Sequence, residues 1–105
     1  MDELARSVPN GASLAVPADY GGPAMAATFA LIRRGVRGLS LVTAPTSGLQ
    51  ADCLIGAGAV SALETAGVSL GEHGPARRFQ AAVAAGAIGL RDSTCPALHA
   101  GFQAA

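Results

Sequence analysis

Short apolar runs alternate along this chain with stretches of helical periodicity, and no other feature restricts its fold so much. Ser13-Leu14-Ala15-Val16, Leu39-Ser40-Leu41-Val42, Val60 to Thr65 and Ile88-Gly89-Leu90-Arg91-Asp92 read as strands. Before them stands a short helical lead, Met1 to Val8, stopped by Pro9-Asn10-Gly11. After the first run, Pro23 sits at a natural first helical position, and Met25, Phe29 and Ile32 recur on one helix face. Arg33 and Arg34 suit the negative helix end, and Gly35 suits its cap. Leu49 to Ile55 reads as a short helix or turn ending in Gly56-Ala57-Gly58. Pro75 opens another helix, with Phe79, Ala82 and Val83 on one face, and Gly86 ends it. A last helix starts near Pro96, capped by Ser93 or Asp92, and carries Leu98 and Phe102.

Such alternation specifies an α/β fold, a mostly parallel sheet flanked by helices with right-handed crossovers. The strands read as near-continuously apolar, so both sheet faces are expected to be covered. The 105 residues make one domain. Only 13% of them are charged while 50% are hydrophobic, against roughly a quarter charged in an ordinary soluble domain. Part of the surface is therefore expected to be covered by something else. The terminal run Phe102-Gln103-Ala104-Ala105 lacks a closing charge and reads as an interrupted helix. Together these features predict an oligomer or a self-associating chain with an exposed apolar patch.

Charge and pattern exclude several functions. Seven arginines, with no lysine, balance seven acids and are spread along the chain, so no nucleic-acid surface is expected. The best apolar stretch, Ala24 to Ile32, is half of the ~18 residues a membrane span needs. Asp2 and Glu3 precede any apolar run, which does not make a secretory signal. A cytoplasmic location with Cys53 and Cys95 reduced is the expectation.

Few side chains offer chemistry. Cys53, His73, Cys95 and His99 are the whole Cys and His inventory; only Cys95 and His99 fall at helical spacing, with Pro96 between them, so no metal site is expected. Ser93 with His99 lacks an orienting acid. Gly56-Ala57-Gly58 lacks the third glycine of a dinucleotide fingerprint and reads as a helix cap. Glu72, between Gly71 and His73, reads as a solvated loop residue, and Glu64 as an outward or salt-bridged strand residue. Tyr20, Gly21 and Gly22, just before a helix N-terminus, are the candidates for contact with a substrate through backbone N–H groups.

The run Asp52-Cys53-Leu54-Ile55-Gly56-Ala57-Gly58-Ala59-Val60 resembles the "D-x-L-I-G-x-G-x-V" segment of the α (A) subunits of family I CoA-transferases, of the glutaconate CoA-transferase kind. Gly67 to Phe79 is similar to the loop and helix that follow it there. Asn10-Gly11 with Leu14 to Val16 resembles the opening of the family's first signature, and Pro23 to Gly35 with Leu39 to Val42 its next helix and strand. The family's Gly-Gly-Phe after the first strand reads Pro17-Ala18-Asp19 here.

The resemblance implies a Rossmann-like layer of an α-subunit N-terminal part that supports CoA transfer between an acyl-CoA and a carboxylic acid. It implies no catalytic residue in this chain. The nucleophilic glutamate would lie in a Ser-Glu-Asn-Gly-type turn of a β-type partner subunit, and coenzyme A would be a substrate, not a bound cofactor. Tyr20, Gly21 and Gly22 would contact substrate or CoA. Two readings stand beside it: a non-catalytic α/β module that binds a partner, and a small phosphate-ligand binder using Gly21 and Gly22.

Overall fold

A computed structural model describes residues 2–104. The elements follow the order α1 (Asp2–Arg6), β1 (Ser13–Val16), α2 (Met25–Arg34), β2 (Leu39–Thr43), α3 (Leu49–Gly56), β3 (Val60–Thr65), α4 (Arg77–Ala84), β4 (Gly89–Asp92) and α5 (Cys95–Ala104). The strands make one sheet in the order β1-β2-β3-β4, and every neighbouring pair is parallel. The expected α/β class and parallel sheet are what the chain adopts. Ser61 is skipped where the β2–β3 register shifts, a local bulge.

The three connecting helices end in the same way. Gly35, Gly58 and Gly86 have φ of 78°, 75° and 67°, the left-handed region where a Cβ is penalised. After α2, the Gly35 N–H reaches the Ile32 carbonyl and the Val36 N–H the Leu31 carbonyl. Gly58 and Ala59 repeat this pair on Ile55 and Leu54, and Gly86 and Ala87 on Val83 and Ala82. Each is a Schellman closure that satisfies two orphan carbonyls and turns the chain into the next strand. Gly56-Ala57-Gly58 is thus a helix end. No atom crowds a Cβ built on Gly86, so Gly86→Ala isolates the backbone cost. A loss of about 1 kcal/mol is expected in urea denaturation, and an unchanged midpoint would contradict the left-handed cap.

Starts are less regular. α2 begins at Met25, not at Pro23, with Ala24 as its N-cap. α4 begins at Arg77, beyond Pro75. The α5 cap is Thr94, whose hydroxyl accepts the Ala97 N–H at 3.2 Å, rather than Ser93 or Asp92.

Successive strands are added in one direction, and the crossover helices share one face. There Leu39, Leu41 and Leu63 of the sheet meet Leu31 of α2 and Leu54 and Ile55 of α3 in a single core. Phe79 and Ala82 of α4 pack on its border. Ala5 of α1 joins it, and the Arg34 guanidinium donates to the Val8 carbonyl, tying the lead helix to α2.

The other face corrects the expectation of a sheet covered on both sides. Burial alternates along β2: Leu39, Leu41 and Thr43 are buried, Ser40 and Val42 only half-buried. By register, Ala15, Val42, Glu64 and Arg91 share this second face. α5 lies over part of it through Leu98 and Phe102, leaving a groove of about 450 Å³. Apolar-looking strands misled because several of their alternate residues, Ala15, Ser40, Ala62 and Gly89 among them, are small and fit a lightly covered face as well as a buried one. Glu64 and Arg91 are direct register partners there.

Candidate functional site

Ligands of open α/β sheets sit outside the carboxyl ends of the strands. At that end here the loops 17–24, 44–48 and 66–76 are joined by hydrogen bonds from side chains and backbone. Thr43 donates to the Thr65 hydroxyl at 2.6 Å, and Thr65 in turn accepts the Gly67 N–H at 2.9 Å. Ser47, fully buried, donates to the Pro17 carbonyl at 2.5 Å. The Ser69 N–H donates to the Ser47 carbonyl at 3.1 Å.

Asp19 reaches furthest. Its carboxylate accepts the Gly48 N–H at 3.1 Å and the Leu49 N–H at 3.4 Å, so a residue of the first loop caps the start of α3, where the helix dipole favours a negative charge. The Asp19 that stands in the altered Pro17-Ala18-Asp19 segment therefore anchors the rim.

Tyr20 is 87% exposed, with its hydroxyl 3.4 Å from the Pro45 carbonyl. Gly21 closes the short turn Asp19–Gly21 by donating its N–H to the Ala18 carbonyl at 2.8 Å. That N–H is thus already used, which weakens the phosphate-binder reading of Gly21. Gly22, with φ of 78°, redirects the chain toward α2.

Beside this loop lies a cleft of about 270 Å³ between α1, β1, α2 and the first turn of α3. Pro17, Gly22 and Ala24 form its loop side, and Leu14, Ala27 and Leu31 its apolar walls. Its polar side chains are Thr28 and Gln50. The Thr28 hydroxyl donates to the Ala24 carbonyl and accepts from Gln50 Nε2, both at 2.9 Å. Sequence reading missed these two, although Thr28 is a lone polar residue in an apolar helical run; Gln50 shares its helix with Asp52.

Other candidates are dispersed. Glu72 and His73 stand on an exposed turn, 90% and 80% exposed and 3.9 Å apart. Such a carboxylate lacks the fixed donors and dry surroundings that covalent acyl chemistry needs. Ser93 and His99 share no hydrogen bond among the described residues. Cys53 is half-buried and Cys95 exposed, both free thiols. Among the described residues no three His, Cys, Asp or Glu side chains gather as metal ligands, and no helix is long and apolar enough to cross a membrane.

Asp52, in the segment that carries the family resemblance, is only 2% exposed. It accepts the Phe79 N–H at 2.9 Å and a guanidinium N–H of Arg78 at 3.2 Å. Its role here is to cap α4 from α3.

No family model matches this chain, and no curated protein matches it. Among solved structures, it is similar to the decarboxylase AibA/AibB, crystallised as a cysteine-to-serine variant, with a TM-score of 0.72 and 28% identity. The match covers 87% of this chain and 36% of that one, so the chain spans little more than a third of its structural neighbour's length. The four-stranded parallel α/β layer is thereby a CoA-transferase-like fold.

Proposed function

We propose that this chain acts as part of an α-type subunit of a CoA-transferase, supporting movement of CoA between an acyl-CoA and a carboxylic acid. The observation that carries this reading is the likeness to AibA/AibB over 87% of the chain, in agreement with the segment Asp52 to Val60. The nucleophile belongs to a β-type partner. Its glutamate carboxylate attacks the thioester carbonyl, and the C–S bond breaks to leave an acyl-glutamyl anhydride and CoA thiolate. The thiolate then attacks the glutamyl carbonyl and releases the donor carboxylate, giving a glutamyl-CoA thioester that the acceptor acid opens in reverse. This chain's part is to hold walls of the substrate site. Tyr20, Gly21 and Gly22 lie on the strand-end rim from which a substrate would be touched, and no charged group of this chain serves as nucleophile.

A second reading is favoured by the neighbour's own description as a decarboxylase. On that reading the same layer would support loss of CO2 from an acyl-CoA. A third, the non-catalytic partner-binding module, draws on the lightly covered second sheet face.

Co-expression with a β-type subunit that carries a Ser-Glu-Asn-Gly turn tests the partner. A stable complex on size exclusion is expected. Separate elution of the two chains would sink both enzyme readings.

A further inference from the structure

Both ends of the sheet are free edges, and they differ in charge. β4 carries Arg91 and Asp92 and is exposed throughout. Charges of this kind on an edge strand hinder its pairing with another chain. β1 carries none. Two exposed apolar side chains stand beside it instead. Leu4 of α1, 58% exposed, borders the same cleft as Leu14, and Phe102 of α5, 38% exposed, borders the same groove as Ala15.

The ladder to β2 fixes which backbone groups of this edge are free. Ser40 donates its N–H to the Ala12 carbonyl, and Ala44 donates to the Val16 carbonyl. Backbone groups alternate in direction along a strand. Ala12, Leu14 and Val16 therefore turn theirs toward β2, and Ser13 and Ala15 turn theirs outward. Both of the latter residues are exposed.

Two identical edges related by a two-fold axis along the sheet normal run antiparallel, and residues that exchange hydrogen bonds must then both face outward. Few registers allow this. Ser13 opposite its own copy would set Ala15 against Gly11, whose N–H is already given to the Arg37 carbonyl at 3.0 Å. Ala15 opposite its own copy would set Ser13 against Pro17, which has no N–H. Ser13 opposite Ala15 completes two pairs, each exchanging both bonds, with Leu14 facing Leu14 between them.

We propose that β1 is an interface between two copies of this chain, joined antiparallel into one continuous sheet. Leu14 is the register partner of Leu41, which is buried on the helix face, so the two Leu14 side chains meet on that side, beside Leu4. The edge is uncharged and satisfies its own free groups in one register, which is why the occupant is a second copy. This inference stands without the CoA-transferase reading. A contact of one short strand with a few flanking side chains is small, so the dimer belongs to the weak, concentration-dependent class below about 1,200 Å².

Sedimentation velocity of the whole chain at rising concentration tests this, and a shift from monomer to dimer is expected. Ser13→Lys together with Ala15→Lys sets lysine opposite lysine twice across the axis. The concentration at which half of the chain is dimeric should then rise about tenfold. Ser13→Glu together with Ala15→Lys sets glutamate opposite lysine, and should keep the dimer at least as tight as in the unaltered chain. Both positions are exposed, so the fold should hold, which circular dichroism checks. Should the lysine variant fail to fold, Ser13→Pro takes its place. Proline is tolerated at the first position of a strand, removes only an outward N–H, and should weaken the dimer likewise. Leu90→Lys, on the other edge, should change nothing. A chain that stays monomeric at every concentration overturns the proposal. So does a dimer that ignores the two lysines, one lost equally in both double variants, or one abolished by Leu90→Lys, which would assign the contact to β4.

Discussion

Replacing Gly48 with alanine is expected to cost this chain about 3 kcal/mol, the upper end of what an overpacked position ordinarily costs. A Cβ built there lies 2.3 Å from the Ser69 carbonyl oxygen and 2.5 Å from Asp19 Oδ2. Neither neighbour can withdraw cheaply. Ser69 is backbone, held to the Ser47 carbonyl at 3.1 Å. The Asp19 carboxylate is itself hydrogen-bonded to the Gly48 and Leu49 N–H groups. Relief by moving either one loses the cap of α3 or the link between the second and third loops. A domain of this size has roughly 5–15 kcal/mol in all, so the urea midpoint should fall by a large fraction. Gly101→Ala is the control: it lies within α5 and no atom crowds its Cβ, so stability should hold or rise slightly. If Gly48→Ala proved as harmless as the control, the packing of the strand-end loops described above would be wrong.

Asp52→Ala should cost about 2–3 kcal/mol, from loss of a charge-assisted hydrogen bond together with a helix cap. Two interactions end on this buried carboxylate, and they are unequal. The Phe79 N–H lies in the first turn of α4, where a helix offers its own N–H groups no acceptor, and its bond to Asp52 is partly buried. The Arg78 side chain is 61% exposed and regains water when released, so its ion pair is worth less than about 1 kcal/mol. Hence Arg78→Ala should cost much less than Asp52→Ala. Asp52→Asn, which keeps an acceptor for Phe79, should fall between them. Chemical denaturation of the three variants measures the order, and amide exchange should localise the Asp52→Ala effect to α4. A larger loss from Arg78→Ala would reverse the assignment and make the ion pair dominant.

The difference between Asp52 and the helix ends shows what could be read in advance. Gly35, Gly58 and Gly86 act within their own turns, so their caps follow from local sequence. The strands were legible for a similar reason, since short apolar runs between turn residues have few alternatives. Asp19 and Asp52 cap helices that lie elsewhere in the chain. Nothing near either residue marks its partner, because that partner is fixed only when the parallel register brings the loops together. Gln50 and Thr28 are intermediate. Thr28 breaks an apolar helical run, which signals a buried polar group, whereas Gln50 has Asp52 beside it in the same helix, and their hydrogen bond joins α2 to α3. The open second face was misjudged because small residues carry little information about burial. Ala15, Ser40 and Ala62 suit a covered face and an exposed one alike.

The second face also bears on the low charge of the chain. Seven arginines and seven acids cover little surface, and the sheet face carrying Ala15, Val42 and Ala62 is covered only in part by α5. A partly covered face of this kind is open to a partner, in keeping with the proposed β-type subunit.

The most direct measurement is thioester exchange by the complex of this chain with a β-type subunit, followed as movement of labelled CoA from an acyl-CoA to an acceptor carboxylate. Exchange is expected from the complex, from neither chain alone, and not after the glutamate of the partner's turn is changed to glutamine. A complex that forms but releases CO2 from the acyl-CoA, or that transfers nothing, would contradict a CoA-transferase.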